Sequence, residues 1–268
     1  MKGLKLGVIG CGNMGGAIVR GVVERGTLAG ENILVNDKDV DRATLLSDET
    51  GCRLEELSGL AEKSDIILIA VKPQDFESLA AKLSGKVSGK AVVSVMAGVS
   101  INRITQVLGG DIQVVRAMPN MAAFIAEAVT CIAMNGPVDK KPDIVDILMG
   151  IGLVIEVKED QMDAVTAVSG SGPAYLFFLA DAMMSAASGL GLGQKEADML
   201  VRQTLYGSAA LLKGSEEGPD ELISKVASKG GTTEAALSVF KKKGLAGAIE
   251  EAVRAAKKRS GELSGGLS

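Results

Sequence analysis

The 268-residue chain is 47% apolar with a net charge of −4, which is enough apolar content for two cores and the wrong charge balance for a nucleic-acid partner. It contains no histidine, so His-based triads, His general acids and the commoner zinc sites are excluded and no metal is expected. Its three cysteines, Cys11, Cys52 and Cys131, are isolated and odd in number, which suits a reducing compartment without disulfides.

The start, M-K-G-L-K-L, runs into a strand pattern without the layout of a signal peptide, so a cytoplasmic protein is expected. Leu4 to Ile9 reads as a short strand, and Gly10-Cys11-Gly12-Asn13-Met14-Gly15 follows at once as G-x-G-x-x-G. A helix pattern then carries Ala17, Ile18, Gly21 and Val22 and stops at Gly26. Strand, glycines and helix in this order form a dinucleotide fingerprint: Gly10 for the tight turn, Gly12 to admit the pyrophosphate, Gly15 for close helix–strand packing.

A second strand, Ile33 to Val35, ends at Asn36-Asp37, where the ribose-reading residue of such folds belongs. Asp37 suits the 2′-hydroxyl of NAD and repels a 2′-phosphate, whereas Asn36, Lys38 and Arg42 suit NADP. The residues point both ways.

Further strands are expected near 65–71, 91–96, 112–118, 128–134 and 152–157, alternating with helices as in a doubly wound parallel sheet with extra strands at one edge. Ligands bind such sheets at the carboxyl ends of strands. That singles out Ala70-Val71-Lys72-Pro73-Gln74, Met96-Ala97-Gly98 and Met118-Pro119-Asn120 as cofactor-side loops, although strand-to-helix turns use Gly, Pro and Asn in any case.

After about residue 160 the strand signal stops. Helical patterns cover 161–189 with a break at Gly170 to Pro173, then 194–213, 219–227, 233–242 and 245–260. Ser171 is placed to cap a helix with Pro173 in its first turn, and Pro219 suits the same role downstream. Lys257-Lys258-Arg259 reads as a solvated last helical turn. Ala164 to Leu192 holds one charge, Asp181, but is too broken by glycines to span a bilayer and reads as a helix buried on all sides. A domain of about 100 residues has trouble burying such a helix alone, so an intertwined homodimer is expected. The predicted organisation is α/β: a Rossmann domain over 1–160, then an all-helical dimerisation domain over 161–268.

Near the end stands V-A-S-K-G-G-T-T-E-A-A-L, residues 226–237. Gly230 and Gly231 let backbone N–H groups converge ahead of a helix that Thr232 or Thr233 can cap, a geometry suited to a small carboxylate.

G-C-G-N-M-G-G, I-L-I-A-V-K-P-Q, V-V-R-A-M-P-N, D-A-V-T-A-V-S-G-S-G-P-A-Y and P-D-E-L-I-S-K-V-A-S-K-G-G-T-T-E-A-A-L together resemble the pyrroline-5-carboxylate reductase family, whose members reduce a cyclic imine to proline. The last two segments are specific to it. The resemblance implies hydride transfer from NADPH or NADH to 1-pyrroline-5-carboxylate in proline biosynthesis, and cofactor contacts at Gly10, Gly12, Asn13, Met14, Gly15, Asn36, Asp37, Lys38, Ala70, Val71, Lys72, Pro73, Ala97, Gly98 and Asn120. It implies that the substrate carboxylate sits at Ser228, Gly230, Gly231, Thr232 and Thr233, with Thr233 near the ring nitrogen and Thr166 and Glu216 as the remaining polar residues. It also implies an active site completed by the partner subunit's helical domain, and larger rings of dimers such as a decamer.

Three departures stand out. Lys229 replaces the family's usual proline, Met121-Ala122 stand where Thr-Pro is common, and Ala126-Glu127-Ala128 replaces Gly-Glu-Gly. The missing histidine agrees with the implied chemistry. An imine nitrogen is basic enough to arrive protonated, so the residues' task is positioning rather than acid catalysis. Two other classes stay open: a carbonyl-acid reductase using a helical-domain lysine, for which Lys195 and Lys225 are available, and a non-catalytic dinucleotide sensor.

Overall fold

The computed structural model describes residues 3–265. β1 (Leu6–Ile9) is followed by helix α1 (Asn13–Glu24), β2 (Ile33–Asn36), α2 (Val40–Thr50), β3 (Arg53–Leu54), α3 (Leu57–Lys63), β4 (Ile66–Ile69), α4 (Phe76–Leu83), β5 (Ala91–Ser94) and α5 (Ile101–Leu108). Then come β6 (Gln113–Met118), β7 (Ala128–Met134), α6 (Lys141–Met149) and β8 (Gly152–Glu156). Every residue of β1, β4 and β5 is buried, as expected of central strands covered on both faces. The sheet runs β3-β2-β1-β4-β5-β6-β7-β8, all neighbours parallel except the antiparallel pair β6–β7. The chain thus winds outward in both directions from β1 and β4, the doubly wound arrangement the alternation predicts.

The pattern predicts seven strands; the structure adds β3. Its two residues are both exposed, so neither length nor periodicity marks them, and only the parallel pairing with Leu34 and Val35 makes a strand there.

Close packing of α1 needs glycine on both sides. A Cβ on Gly21 would stand 2.5 Å from the carbonyl oxygen of Gly150, just past the end of α6, and 2.9 Å from Ile151. The backbone-to-backbone approach brings Ile18, Val19 and Val22 into one core with Ile144, Ile147 and Leu148.

The helical half holds α7 (Met162–Val165), a π turn over Thr166–Gly170, and α8 (Gly172–Gly189), α9 (Gln194–Gly214), α10 (Pro219–Val226), α11 (Thr232–Lys242) and α12 (Leu245–Gly265). The chain forms two compact units, one running to Ser171 and resuming at Ala256, the other Gly172–Ala255. Within the second, α8 and α9 pack as a hairpin.

Ser171 stands directly before α8 with Pro173 in the first turn of that helix, as expected, and its N–H bonds back to the Thr166 carbonyl at 2.9 Å, closing the π turn. In the single chain α8 has no buried residue, and Phe177 and Phe178 are 61% and 78% exposed, the apolar surface for which the expected homodimer would provide cover. A single copy of a unit of this size lacks the neighbours to cover it. Among the described residues no helix is long and apolar enough to cross a membrane.

Gly21→Ala tests the α1–α6 contact. Alanine gains up to about 1 kcal/mol of helix propensity, but overpacking against an immovable carbonyl costs about 1–3 kcal/mol. The clash is expected to win, lowering Tm by roughly 2–6 °C; a Tm that rises would show that the helices part freely.

Candidate functional site: a glycine-lined cleft and an anion-holding bend

β1 lies between β2 and β4, and the loop leaving it meets both neighbours. The Gly10 N–H donates to the Asn36 carbonyl at 2.8 Å, and the Ala70 N–H donates to the Ile9 carbonyl at 2.8 Å. Gly10 takes φ +101°, and a Cβ there would lie 2.6 Å from the Ala70 carbonyl oxygen. A Cβ on Gly15 would lie 1.9 Å from the Gly10 carbonyl oxygen, so α1 presses directly on the loop. Gly12 differs: the nearest atom to an added Cβ is Arg42 Nη1 at 3.7 Å, which leaves the space in front of it open. Gly12 is also the N-cap of α1 and offers no side-chain cap. The first N–H groups of the helix, at Asn13, Met14 and Gly15, therefore face that space with the positive end of the helix dipole behind them. A cradle that a Cβ would fill, with donors and dipole aimed into it, fits the pyrophosphate of a dinucleotide.

At the end of β2, Asp37 is engaged twice: Oδ2 accepts from the Cys11 N–H at 2.6 Å and Oδ1 from the Asp39 N–H at 2.9 Å. Asn36 Nδ2 donates to the Glu55 carbonyl at 2.8 Å. Lys38 Nζ, on an 80% exposed side chain, pairs with Asp75 Oδ2 at 2.8 Å, and that carboxylate holds the ammonium above the ordinary lysine range. Arg42 pairs with Asp39 at 3.2 Å. The Cys11 thiol beneath the loop is pushed up to about 12, first by burial and then by the charges of Asp37 and Cys52. Cys11, Cys52 and Cys131 are all free and buried.

The other strand-end loops line up in the same unit. Lys72 is exposed, and its carbonyl accepts the Asp75 N–H at 2.9 Å at a short turn over Pro73–Asp75 that follows Ala70 and Val71. Ala97 is exposed and Gly98 buried with φ +76°. Asn120 starts a turn over Met121–Ile125, its Oδ1 accepting from the Ala122 N–H and its Nδ2 donating to Ser169 Oγ, both at 3.2 Å. A Cβ on Gly170 would stand 2.8 Å from Met118 Cε. The M-P-N loop thus touches the π turn that carries Thr166, whose hydroxyl donates to the Met162 carbonyl at 2.9 Å. Phe124 and Ile125 stay 50% and 73% exposed beside it, and Ala126 adopts φ +55°, a left-handed position that favours glycine.

Sequence reasoning missed what anchors this loop. Arg116, buried on β6, lies with Nη1 3.8 Å from Glu159 Oε1, and that oxygen also accepts the Ile101 N–H at 2.7 Å at the start of α5. Burial pulls the guanidinium's pKa down while Glu159 and Asp163 oppose it. The signal was available: an arginine inside the apolar run V-V-R-A-M needs a buried carboxylate, and Glu159 is the first of the acidic pair that follows β8.

The bend is in the second unit. The Gly231 N–H donates to the Ser228 carbonyl at 2.9 Å, and Gly230 takes φ +76° with open space on its Cβ side. The Gly230 N–H donates to Glu234 Oε2 at 2.6 Å, so this donor already meets a carboxylate. Gly231, not a threonine, is the N-cap of α11, with no side-chain cap; Thr232 is exposed and Thr233 half-buried in the first turn. The capping expected of those hydroxyls is therefore corrected: Gly231 takes the extended N-cap position (φ −83°, ψ 171°), so both threonines fall inside the first turn of the helix. Lys229 is exposed, and Glu216 is exposed in the connection between α9 and α10. Lys225 is ion-paired with Glu217 at 2.5 Å. A cavity of about 730 Å³ between α8 and α9 is lined by Asp181, Lys195 and Asp198 and by none of the residues of the bend. Volume is a poor guide here, since an anion seat made of backbone N–H groups needs no deep cavity. Among the described residues no cluster of His, Cys, Asp or Glu is placed to hold a metal ion.

Comparison with known proteins gives two family matches: "Pyrroline-5-carboxylate reductase dimerisation" over residues 159–263 and "NADP oxidoreductase coenzyme F420-dependent" over residues 5–98. A pyrroline-5-carboxylate reductase of Synechocystis sp. is 40% identical, the alignment covering 97% of this chain and 98% of that protein. Among solved structures, a pyrroline-5-carboxylate reductase from Coxiella burnetii is 33% identical with a TM-score of 0.92, covering 97% of this chain and 98% of the other. The Plasmodium falciparum pyrroline carboxylate reductase with NADP bound is 28% identical with a TM-score of 0.86, covering 98% and 99%.

Two measurements check the cleft. Gly12→Ala is expected to leave Tm unchanged and weaken dinucleotide binding at least tenfold, about 1.4 kcal/mol, whereas Gly15→Ala should lower both; equal Tm losses would show that Gly12 is structural too. The second concerns Cys11. With a folded pKa near 12 against an ordinary 9.0, the protonated thiol is favoured by folding. That contribution is intact below pH 9 and is lost as pH rises from 9 toward 12. At pH 10.5 the wild type should have lost about 2 kcal/mol more unfolding free energy than Cys11→Ala, relative to pH 8; parallel pH profiles would refute the burial of this group.

Proposed function

The chain belongs to the pyrroline-5-carboxylate reductase family, and from that premise we propose that its glycine loop seats the cofactor and its Ser228–Thr233 bend seats the substrate. It is an oxidoreductase that reduces 1-pyrroline-5-carboxylate to proline with NAD(P)H, and a homo-oligomer. When bound, NAD(P)H supplies the hydride. The residues that would hold it are Gly10, Gly12, Asn13, Met14 and Gly15 at the pyrophosphate, Asn36, Asp37 and Lys38 at the ribose, and the loops at Ala70–Pro73, Ala97–Gly98 and Asn120.

One observation carries the substrate end: the N–H of Gly230 is already satisfied by a carboxylate, that of Glu234. That bond shows that the bend offers this N–H to a carboxylate at hydrogen-bond distance. Each charge-assisted N–H to carboxylate bond contributes roughly 1.5–3 kcal/mol, so two or three of them at the bend formed by Ser228, Gly230, Gly231 and Thr232, with the Gly231 N–H itself closing the turn onto the Ser228 carbonyl, supply most of the affinity for so small a ring. Thr233 then orients the ring nitrogen by a hydrogen bond, with Thr166 and Glu216 as the further polar residues. No residue has to protonate the imine, which arrives with its proton. The chain's contribution is to fix the ring by its acid group and keep water away.

The finer organisation is proposed on the same basis. The cofactor domain is taken as 1–160 and the helical domain as 161–268, the latter assembling as an intertwined homodimer, with rings of dimers as the higher assembly. The exposed phenylalanines of α8 support that assembly. Isolated, buried, free cysteines support a reducing, cytoplasmic location, and the names of the relatives support a role in proline biosynthesis.

Thr233→Ala is expected to lower kcat for 1-pyrroline-5-carboxylate at least tenfold while changing the Kd for NADPH less than twofold. Equal losses would make the residue structural. In the same assay, rate should track the protonated fraction of the imine, and a profile indifferent to imine titration would count against a substrate that brings its own proton.

A further inference from the structure

Lys38 follows β2, Asp75 follows β4, and β1 lies between those strands, so the 2.8 Å ion pair between them crosses the carboxyl end of β1 above the glycine loop. The groups around it have separate duties. Both oxygens of Asp37 accept backbone N–H groups, from Cys11 and Asp39, so that carboxylate serves first as a clamp between the two loops. Asp39 caps α2 through the Arg42 N–H at 3.2 Å and also pairs with the Arg42 guanidinium. Asp75 caps nothing; it stands before α4 with no side-chain cap bond, and its side chain engages Lys38. Lys38 and Arg42 are thus two cations beside the ribose end of the cleft, each held by a carboxylate. Only one of those carboxylates is free of a structural task.

We propose that Asp75 is a specificity-determining residue for the coenzyme: it holds Lys38 across the cleft and competes for that ammonium with the 2′-phosphate that distinguishes NADPH from NADH. This rests on the reading of the cleft as the dinucleotide seat. With NADH the Lys38–Asp75 pair stays closed and costs nothing. With NADPH the ammonium has to turn to the phosphate, and the carboxylate is left beside a like charge. Asp75 therefore narrows the gap between the two coenzymes by weakening the phosphorylated one alone.

The test is the Kd of NADPH and of NADH, read without substrate from reduced-nicotinamide fluorescence in a chain that has no tryptophan, with competition by 2′,5′-ADP. Asp75→Asn is expected to tighten NADPH and 2′,5′-ADP three- to tenfold and to leave NADH within twofold. Lys38→Met should weaken NADPH by a similar factor, and adding Asp75→Asn to it should recover less than half of the single-variant gain. If Asp75→Asn weakens NADPH, or moves both coenzymes equally, the proposal is overturned. If Lys38→Met leaves the NADPH to NADH ratio unchanged, the phosphate seat at Lys38 is wrong and the proposal falls with it. If neither coenzyme binds the wild type, the dinucleotide reading itself has failed.

Discussion

The approach of α1 to the end of β1 is the constraint on which the rest depends. With no Cβ at Gly15, the helix start rests on the Gly10 carbonyl, and with Gly10 at positive φ the loop turns tightly enough to lie against Ala70. Those contacts bring an uncapped helix N-terminus into line with the strand ends on either side. Asp37 then lashes the loop to β2 through the Cys11 N–H. A bulkier residue at Gly10 or Gly15 would move the helix and with it every donor that faces the cleft. The helix cannot retreat, because Gly21 on its other side rests on Gly150.

The absence of histidine fits how the chain handles charge. Its two candidate anion seats are made of backbone N–H groups ahead of helices whose N-caps are glycines, Gly12 and Gly231. Backbone donors do not titrate in the working range, so such a seat keeps its strength as pH changes. An enzyme whose substrate carries its own proton loses nothing by having no general acid, and it gains precision by holding the reactants with groups that have no side-chain freedom to lose.

What could be read from the sequence divides along the same line. G-C-G-N-M-G and S-K-G-G-T-T were legible because glycine at fixed spacing marks backbone geometry directly, and the alternation of buried strands with helices gave the sheet. β3 was not legible, since two exposed residues carry no periodicity. The π turn was hidden because S-G-S-G-P reads as a break, whereas the Ser171 N–H reaches back to Thr166 and keeps the path helical. The threonines of the bend looked like caps, a role that depends on ψ of the preceding residue rather than on composition. α8 reads as a helix to be covered all round while the single chain leaves it exposed, because hydropathy reports that a face must be covered, not by which copy of the chain.

A chain with a net charge of −4 that binds anions has to keep its own carboxylates from filling the seats permanently. In this structure three exposed cations or donors at the seats have a carboxylate on them: Asp75 on Lys38, Asp39 on Arg42, Glu234 on the Gly230 N–H. All three contacts are exposed or nearly so, where an ion pair nets no more than about 1 kcal/mol. A ligand that brings a phosphate or carboxylate together with a ring or a nucleoside adds apolar and stacking contacts that the side chain cannot match, and so displaces it. Asp37 is the contrast: its bonds run to two backbone N–H groups in a half-buried setting, and it is not displaced. Binding strength at such seats is therefore a difference between two acids competing for one donor, and the identity of the internal acid tunes the result without touching the ligand.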